Sequence, residues 1–166
     1  MKYLFLLIIT FWGLSTHAQR KPRLTLGTQN IYSGTSVNFG YAFDFGPLEF
    51  NPSLRWVASR SANPVSSLPG VDLNIHWFYQ IDERISGGFF GQYSFLHDKD
   101  PVTNMFHELY GGLCTRYFVS KHWDLRLRSG AGGYMQRIGT GPAKNSLKGL
   151  SYCLSFGVSY YLPSRS

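Results

Sequence analysis

Charged side chains recur at every second position inside segments that are otherwise rich in large apolar residues. Arg126 and Arg128, for example, alternate with Leu125 and Leu127. This alternation predicts a β-strand, in which successive side chains point to opposite faces. The charges then share one face, where they can form ion pairs. We call this set the predicted lumen charge network, since its face becomes the interior if the strands close into a barrel. Its members are Asp44, Glu49, Arg55, Asp72, His76, Glu108, Arg116, Asp124, Arg126 and Arg128.

Catalytic chemistry has only a weak candidate. Ser94, His97 and Asp98 lie close together in the sequence, and Glu108 follows later. A Ser–His–acid site needs hydrogen bonds among its members, which sequence spacing alone does not supply. A solvated loop is the simpler interpretation, and we predict no catalytic residue.

Metal and cofactor sites are as weakly indicated. His97, Asp98, Asp100 and His107 carry metal-ligating groups but lack the close spacing of a metal motif. The glycine-rich stretch 130–133 is followed by neither a helix nor a Lys-Ser/Thr pair, as a phosphate loop would be. We therefore predict no metal site and no cofactor.

Eight segments show the alternation of a strand. The last is the clearest, because large apolar residues occupy every second position over 150–162. About 9–11 residues suffice for a strand to cross a membrane. The predicted strands are 23–32, 35–45, 48–57, 71–79, 85–95, 107–119, 123–136 and 150–162.

The connections between these segments alternate in length. Ser33-Gly34 and Gly46-Pro47 predict tight hairpin turns, and Pro52 predicts a bulge or weak pairing in the third strand. The connections after strands two, four and six are short. Those after strands three, five and seven are long, at 58–70, 96–106 and 137–148. This alternation is expected of strands that run up and down around one barrel, with short periplasmic turns and longer outer loops.

The N-terminus predicts export. Lys2 precedes an apolar run over 3–14, and a small-residue site ends at Ala18-Gln19. We predict a signal peptide at 1–19 and a single barrel domain at 20–166. The formal net charge of +7 is spread along the chain, so we predict no nucleic-acid partner.

Two cysteines, Cys114 and Cys153, invite a disulfide in an exported protein. The strand assignment puts them on one barrel face with another strand between them. Their Cα atoms would then be about 9–10 Å apart, beyond the limit of about 7 Å for a disulfide. We expect free, buried thiols.

The large apolar stripe is predicted to face lipid. Eight strands leave a lumen just wide enough for side chains or one small ligand, so the stripe does not fit inside. A midplane Arg or Lys facing lipid would cost about 2–4 kcal/mol. A soluble ligand-binding barrel such as a lipocalin, with the faces reversed, is the alternative. Aromatic residues near strand ends suit an interfacial girdle: Trp56, Tyr79, Tyr117, Trp123 and Tyr160.

Hairpin symmetry suggests partners inside the lumen. Arg116 and Arg126 fall opposite one another across a short turn, and Arg128 lies nearby. These like charges need carboxylates, and Glu49 and Glu108 are the expected cross-lumen partners. In the same way, the pair that falls opposite across the loop 58–70 is Arg55 and Asp72.

The eight strands together resemble the small outer-membrane β-barrels of the OmpA-, OmpX- and OmpW-like kind. The resemblance covers residues 23–162. The leader ending at Ala18-Gln19 looks like those of Bacteroidota outer-membrane proteins, and the last strand looks like the signal read by barrel-assembly machinery. The resemblance implies an all-β, eight-stranded antiparallel up-and-down transmembrane β-barrel in the bacterial outer membrane. It also implies contact with outer-membrane lipid, lipopolysaccharide and the barrel-assembly machinery.

These features favour a non-enzymatic barrel with a charge-filled lumen and a structural or interaction role through its outer loops. One alternative is an outer-membrane enzyme acting on lipid or lipopolysaccharide. A deacylase of that kind would be expected to carry a His-x-Ser motif, and no histidine here is followed two positions later by serine. Another alternative is a narrow polar pore. The sequence indicates no particular protein partner.

Overall fold

Eight antiparallel strands form a closed barrel. The computed structural model describes residues 22–59, 68–98, 104–139 and 145–162. Its strands are β1 (Arg23–Ile31), β2 (Gly34–Phe45), β3 (Leu48–Ser59), β4 (Leu68–Gln80), β5 (Ile85–Asp98), β6 (Asn104–Phe118), β7 (Trp123–Ile138) and β8 (Asn145–Tyr161). Each strand pairs with the next along the chain, and β8 pairs back onto β1. This up-and-down all-β barrel confirms the predicted fold class. The predicted signal peptide lies outside the described residues.

The outer face of the barrel is apolar on every strand, and the polar residues point inward. Leu54 is 65% exposed, Leu109 64% and Leu150 90%. Water would make so much exposed apolar surface unfavourable, whereas lipid would not. The predicted faces are therefore confirmed, and the reversed arrangement of a lipocalin-like barrel is wrong.

Aromatic side chains cluster at the strand ends next to the short turns. Tyr79, Tyr117 and Trp123 are exposed, and Tyr160 packs on Trp123 with ring centroids 4.8 Å apart. Trp56, also exposed, lies toward the opposite end of its strand. These are the positions that the predicted girdle requires.

Three short connections lie at one end of the barrel, called the turn end below; the opposite end, called the loop end, holds the three long connections and the short first hairpin turn. The turn end holds Gly46-Pro47 and the connections 81–84 and 119–122, together with the start of β1 and the end of β8. Gly46 has φ +67°, and because proline cannot adopt a positive φ, the pair forms the type II′ turn expected.

The first hairpin turn is shifted by one residue from its prediction. Ile31 pairs with Gly34, so the two turn residues are Tyr32 and Ser33 rather than Ser33 and Gly34. Gly34 has φ +122° and opens β2. The glycine therefore supplies the unusual backbone angle beside the turn rather than within it.

Pro52 interrupts the ladder between β2 and β3. Pairs are formed on either side of it, at Gly40 with Ser53 and at Phe43 with Phe50, but none joins the residues between. The register is the same before and after the gap. The prediction of weak pairing is thus confirmed, while the only register shift between these strands lies elsewhere, between Thr35 and Ser36.

The strands extend further at the loop end than predicted. β4 begins at Leu68, β6 at Asn104 and β8 at Asn145, each three to five residues before its predicted start. The polar residues there were expected to form loops. An antiparallel ladder can continue beyond the membrane, however, because both of its faces may then be polar.

Both cysteines are free and buried, which confirms the prediction for Cys114 and Cys153. They lie on β6 and β8, with β7 between them. Among the described residues, no helix is long and apolar enough to cross a membrane.

Candidate functional site

The lumen gathers the charged residues that the sequence places on one face. All ten members of the predicted lumen charge network are at most 9% exposed. An eleventh charged residue, Arg23, is fully buried among them. They separate into one cluster near the turn end and another near the loop end.

Glu49 is the centre of the turn-end cluster. Arg116 Nη2 donates to Glu49 Oε2 at 2.7 Å. Arg126 donates to the other carboxylate oxygen, and Arg23 shares Oε2 with Arg116. His76 Nδ1 lies 3.1 Å from Glu49 Oε1. One carboxylate from β3 thus contacts side chains from β1, β4, β6 and β7.

Two aspartates complete this cluster. Arg23 Nη2 donates to Asp44 Oδ1 at 2.5 Å, and its Nη1 lies 3.4 Å from Asp124 Oδ2. Arg126 Nε donates to Asp124 Oδ1 at 3.0 Å. Arg23 also donates to the Tyr161 hydroxyl at 2.7 Å. The first and last strands are therefore joined by a side-chain bond as well as by their ladder.

Arg116 closes the turn end. Its guanidinium lies over the Phe78 ring, 3.7 Å from the centroid, and 5.7 Å from that of Phe118. A recess of about 320 Å³, lined in part by Asp44 and Pro47, leads from the turn-end mouth to this point. The stacked arginine and the ion pairs of the Glu49 cluster lie directly behind this recess.

Glu108 is the centre of the loop-end cluster. Arg55 Nη1 donates to Glu108 Oε2 at 3.1 Å, and Arg55 Nε lies 3.5 Å from Asp72 Oδ1. Arg55 and Asp72 thus form the predicted ion pair, but they are diagonal neighbours rather than opposite residues, because Arg55 pairs with Gly70 and Asp72 with Ser53. Asp72 also accepts hydrogen bonds from Gln29 at 2.9 Å and Asn38 at 2.7 Å.

The first hairpin turn bends over the lumen and is held by this cluster. Ser33 donates to Glu108 through its backbone N–H at 2.8 Å and through its hydroxyl at 3.1 Å. The Tyr32 ring stacks on that of Tyr134, with centroids 3.4 Å apart. Burial raises the pKa of the Tyr32 hydroxyl, so it stays neutral at ordinary pH and donates to Gln136. The turn covers part of the loop-end opening.

The observed partners of Arg128 and Glu108 differ from the predicted ones. Among the described residues, Arg128 forms no ion pair; it donates to Asn74 Oδ1 at 2.6 Å and to Ser155 Oγ at 3.0 Å. Glu108 pairs with Arg55 rather than with the arginines of the turn end. Its distance from Arg116 explains this, because eight residues along β6 separate them by about 26 Å. Glu49 is the shared partner that was predicted.

The charged residues of the lumen are balanced in number. Among the described residues it contains five arginines, Arg23, Arg55, Arg116, Arg126 and Arg128. It contains five carboxylates, Asp44, Glu49, Asp72, Glu108 and Asp124. Between the clusters lies a polar cavity of about 40 Å³. It is large enough for ordered water but much smaller than a typical ligand pocket.

Sequence reasoning missed Arg23, which balances the fifth carboxylate. The alternation of side chains along β1 could have placed it in the lumen, because Arg23 shares a face with Thr25 and Gln29, which are both buried. The uncharged partners, among them Gln29, Asn38 and Asn74, were missed because amides carry no charge pattern.

The weaker catalytic and metal candidates do not assemble in the described residues. Ser94 is fully buried in the lumen, whereas His97 is three positions along β5 and points to the outer face. No group of three potential metal ligands is found in the described part of the chain. Asp100 and the Asp98 side chain lie outside it. The glycine-rich stretch 130–133 forms part of β7, where a Cβ on Gly132 would lie 1.9 Å from the Leu109 carbonyl oxygen.

Comparison with known proteins shows similarity in fold but not in sequence. No protein-family model and no curated protein matches the chain. The N-terminal β-barrel domain of Pseudomonas aeruginosa OprF is similar in structure, with a TM-score of 0.59 and 6% identity, over 87% of this chain and 98% of that one. A de novo designed transmembrane β-barrel has a TM-score of 0.51 and 12% identity, over 86% and 95%. The chain thus has the fold of the small eight-stranded outer-membrane β-barrels.

Proposed function

We propose that this protein is a non-enzymatic integral β-barrel of the bacterial outer membrane, with a closed lumen and a structural or interaction role through its loop end. The observation that carries the proposal is the lumen charge network. Five arginines and five carboxylates are buried in the lumen, in two clusters separated by a polar cavity of only about 40 Å³. Moving one member of such a buried network away would leave a charge uncompensated, so the paired side chains are expected to stay in place and to narrow the path for solutes.

The outer surface supports the membrane location. Ten residues separate Leu150 from Tyr160, and at about 3.3 Å per residue and a tilt of about 40° they span about 25 Å. That is the height of the apolar band of an outer-membrane barrel. The proposed partners are outer-membrane lipid, lipopolysaccharide and the barrel-assembly machinery. No nucleic-acid partner is proposed.

Planar-bilayer recording tests the closed lumen. The wild-type barrel should show little conductance, because the ion pairs around Glu49 block the path. Arg126→Ala removes a guanidinium that contacts both Glu49 and Asp124, and it should increase the leak. Arg84→Ala, in an exposed turn, removes the same charge outside the lumen and should leave the conductance unchanged.

Large, steady channels in the wild type would contradict the proposal. They would instead support the narrow polar pore, with the arginines lining an anion-favouring path. A lipid or lipopolysaccharide substrate converted by the purified barrel would contradict the non-enzymatic part alone.

A further inference from the structure

Two cations point outward from the β7–β8 hairpin at the loop end. Arg137 shares its face of β7 with Leu127, and Lys148 shares its face of β8 with Leu150. Both are exposed. Lys148 pairs with Met135, and Arg137 pairs with the residue opposite, Ser146. The two cations are therefore diagonal cross-strand neighbours, with Cα atoms about 7–8 Å apart.

Their height places them just beyond the apolar band. The band on β8 ends at Leu150, and Lys148 lies one outward position further along, which at a tilt of about 40° is about 5 Å higher. At the same level His107 pairs with Met135, and His107 Nδ1 lies 2.8 Å from the Tyr93 hydroxyl. The outer face is therefore polar on β6 and β8 at this level, and on β7 Arg137 lies one outward position beyond Met135. Lipid headgroups occupy this level in a membrane.

Neither cation has a counter-charge within the described protein. No ion pair involving Arg137 or Lys148 is found among the described residues, whereas the lumen carries as many carboxylates as arginines. The sequence contains no Asp or Glu after Asp124, so the β7–β8 hairpin supplies no acid of its own. An anion from outside the chain can therefore bind there.

Small residues lie below the two cations on the same face. Gly133 pairs with Leu150, and Ala131 pairs with Tyr152. Leu150 and Tyr152 are 90% and 61% exposed. Small residues on β7 therefore lie beside large, exposed apolar residues on β8, an arrangement in which an acyl chain can pack along these two side chains.

We propose that Arg137 and Lys148 bind the phosphate of an outer-leaflet lipid, whose acyl chain lies along Leu150 and Tyr152. A guanidinium can bind phosphate through two parallel hydrogen bonds, and an ammonium adds a second point of positive charge. This inference rests on the proposed contact with outer-membrane lipid and assigns that contact a site.

The experiment measures lipid A retained by the whole barrel in nanodiscs, using native mass spectrometry. Each cation near a membrane surface contributes roughly a factor of five to the affinity, so R137A/K148A should bind lipid A about twenty-five-fold more weakly. The matched control R84A/K121A removes the same two charges from exposed turns at the turn end and should bind within about threefold of wild type. Dephosphorylated lipid A should bind the wild type as weakly as lipid A binds the double variant.

Three results would overturn the site. The first is that R137A/K148A retains as much lipid A as the wild type. The second is that R84A/K121A loses as much lipid A as R137A/K148A does. The third is that millimolar inorganic phosphate displaces the lipid, which would reveal a site for free anions. If a folded, inserted wild-type barrel retains no lipid A at all, the proposed lipid contact fails as well. Before binding is compared, each variant is shown to be folded by its heat-modifiable mobility, the difference in electrophoretic migration between boiled and unboiled samples.

Discussion

Glu49 is the residue on which the turn-end half of the lumen depends. It accepts hydrogen bonds from three arginines on three different strands, and His76 lies against it. Buried charges are favourable only while they remain compensated, because desolvation of an unpaired ion is costly. Glu49 therefore stabilises the barrel chiefly by preventing three guanidinium groups from repelling one another.

Glu49→Gln tests this role. The substitution keeps the shape of the side chain but removes its charge, which should lower the free energy of unfolding by about 3–5 kcal/mol. Urea-induced unfolding in detergent, followed by heat-modified electrophoretic migration, measures the change. Glu83→Gln removes the same charge from an exposed turn and should have almost no effect. Equal stability of the two variants would show that Glu49 is dispensable for the network.

β8 shows how the two faces of one strand differ in what they tolerate. Phe156 is outward and 50% exposed, and it pairs with Leu127 on β7 and Thr28 on β1. Ser155, one position earlier, is buried in the lumen and accepts a hydrogen bond from Arg128. A shift of one residue in register would exchange these environments.

Phe156→Arg should impair assembly, because it places a charge in lipid near the middle of the strand. The expected loss of stability is about 2–4 kcal/mol, measured as the unfolding free energy in a lipid bilayer. Ser146→Arg is the matched control: it lies on the outward face of the same strand, beyond the apolar band, and should cost about 0–1 kcal/mol. A greater loss from Ser146→Arg than from Phe156→Arg would invert the assigned depth of β8.

The whole molecule is arranged for a membrane, with apolar residues outside and charges inside. Fractionation of a Gram-negative host should therefore recover the protein in the outer membrane. Because the barrel is held by the bilayer rather than by surface charge, alkaline carbonate should not extract it. A lipocalin-like soluble protein expressed in parallel provides the extractable control. Recovery of this chain in the soluble periplasmic fraction would contradict the proposed location.

The sequence by itself determined the number of strands, which face of each strand meets lipid, and that both cysteines are free and buried. These follow from alternation with period two and from connection lengths, both of which are local and repeated eight times. Phe156 and Ser155 could be assigned to opposite faces in this way. So could the ten predicted lumen charges, including the neighbouring pair Arg55 and Asp72.

Only the tertiary structure decided which charges meet across the lumen. The alternation of side chains along a strand shows that Arg128 and Glu108 point inward. It does not show that Arg128 contacts Asn74 or that Glu108 contacts Ser33. Those contacts depend on the stagger of the strands around the closed barrel and on the reach of each side chain, neither of which a local pattern encodes. Arg23 is the clearest case, because its role depends on carboxylates from β2, β3 and β7 that only barrel closure brings beside it.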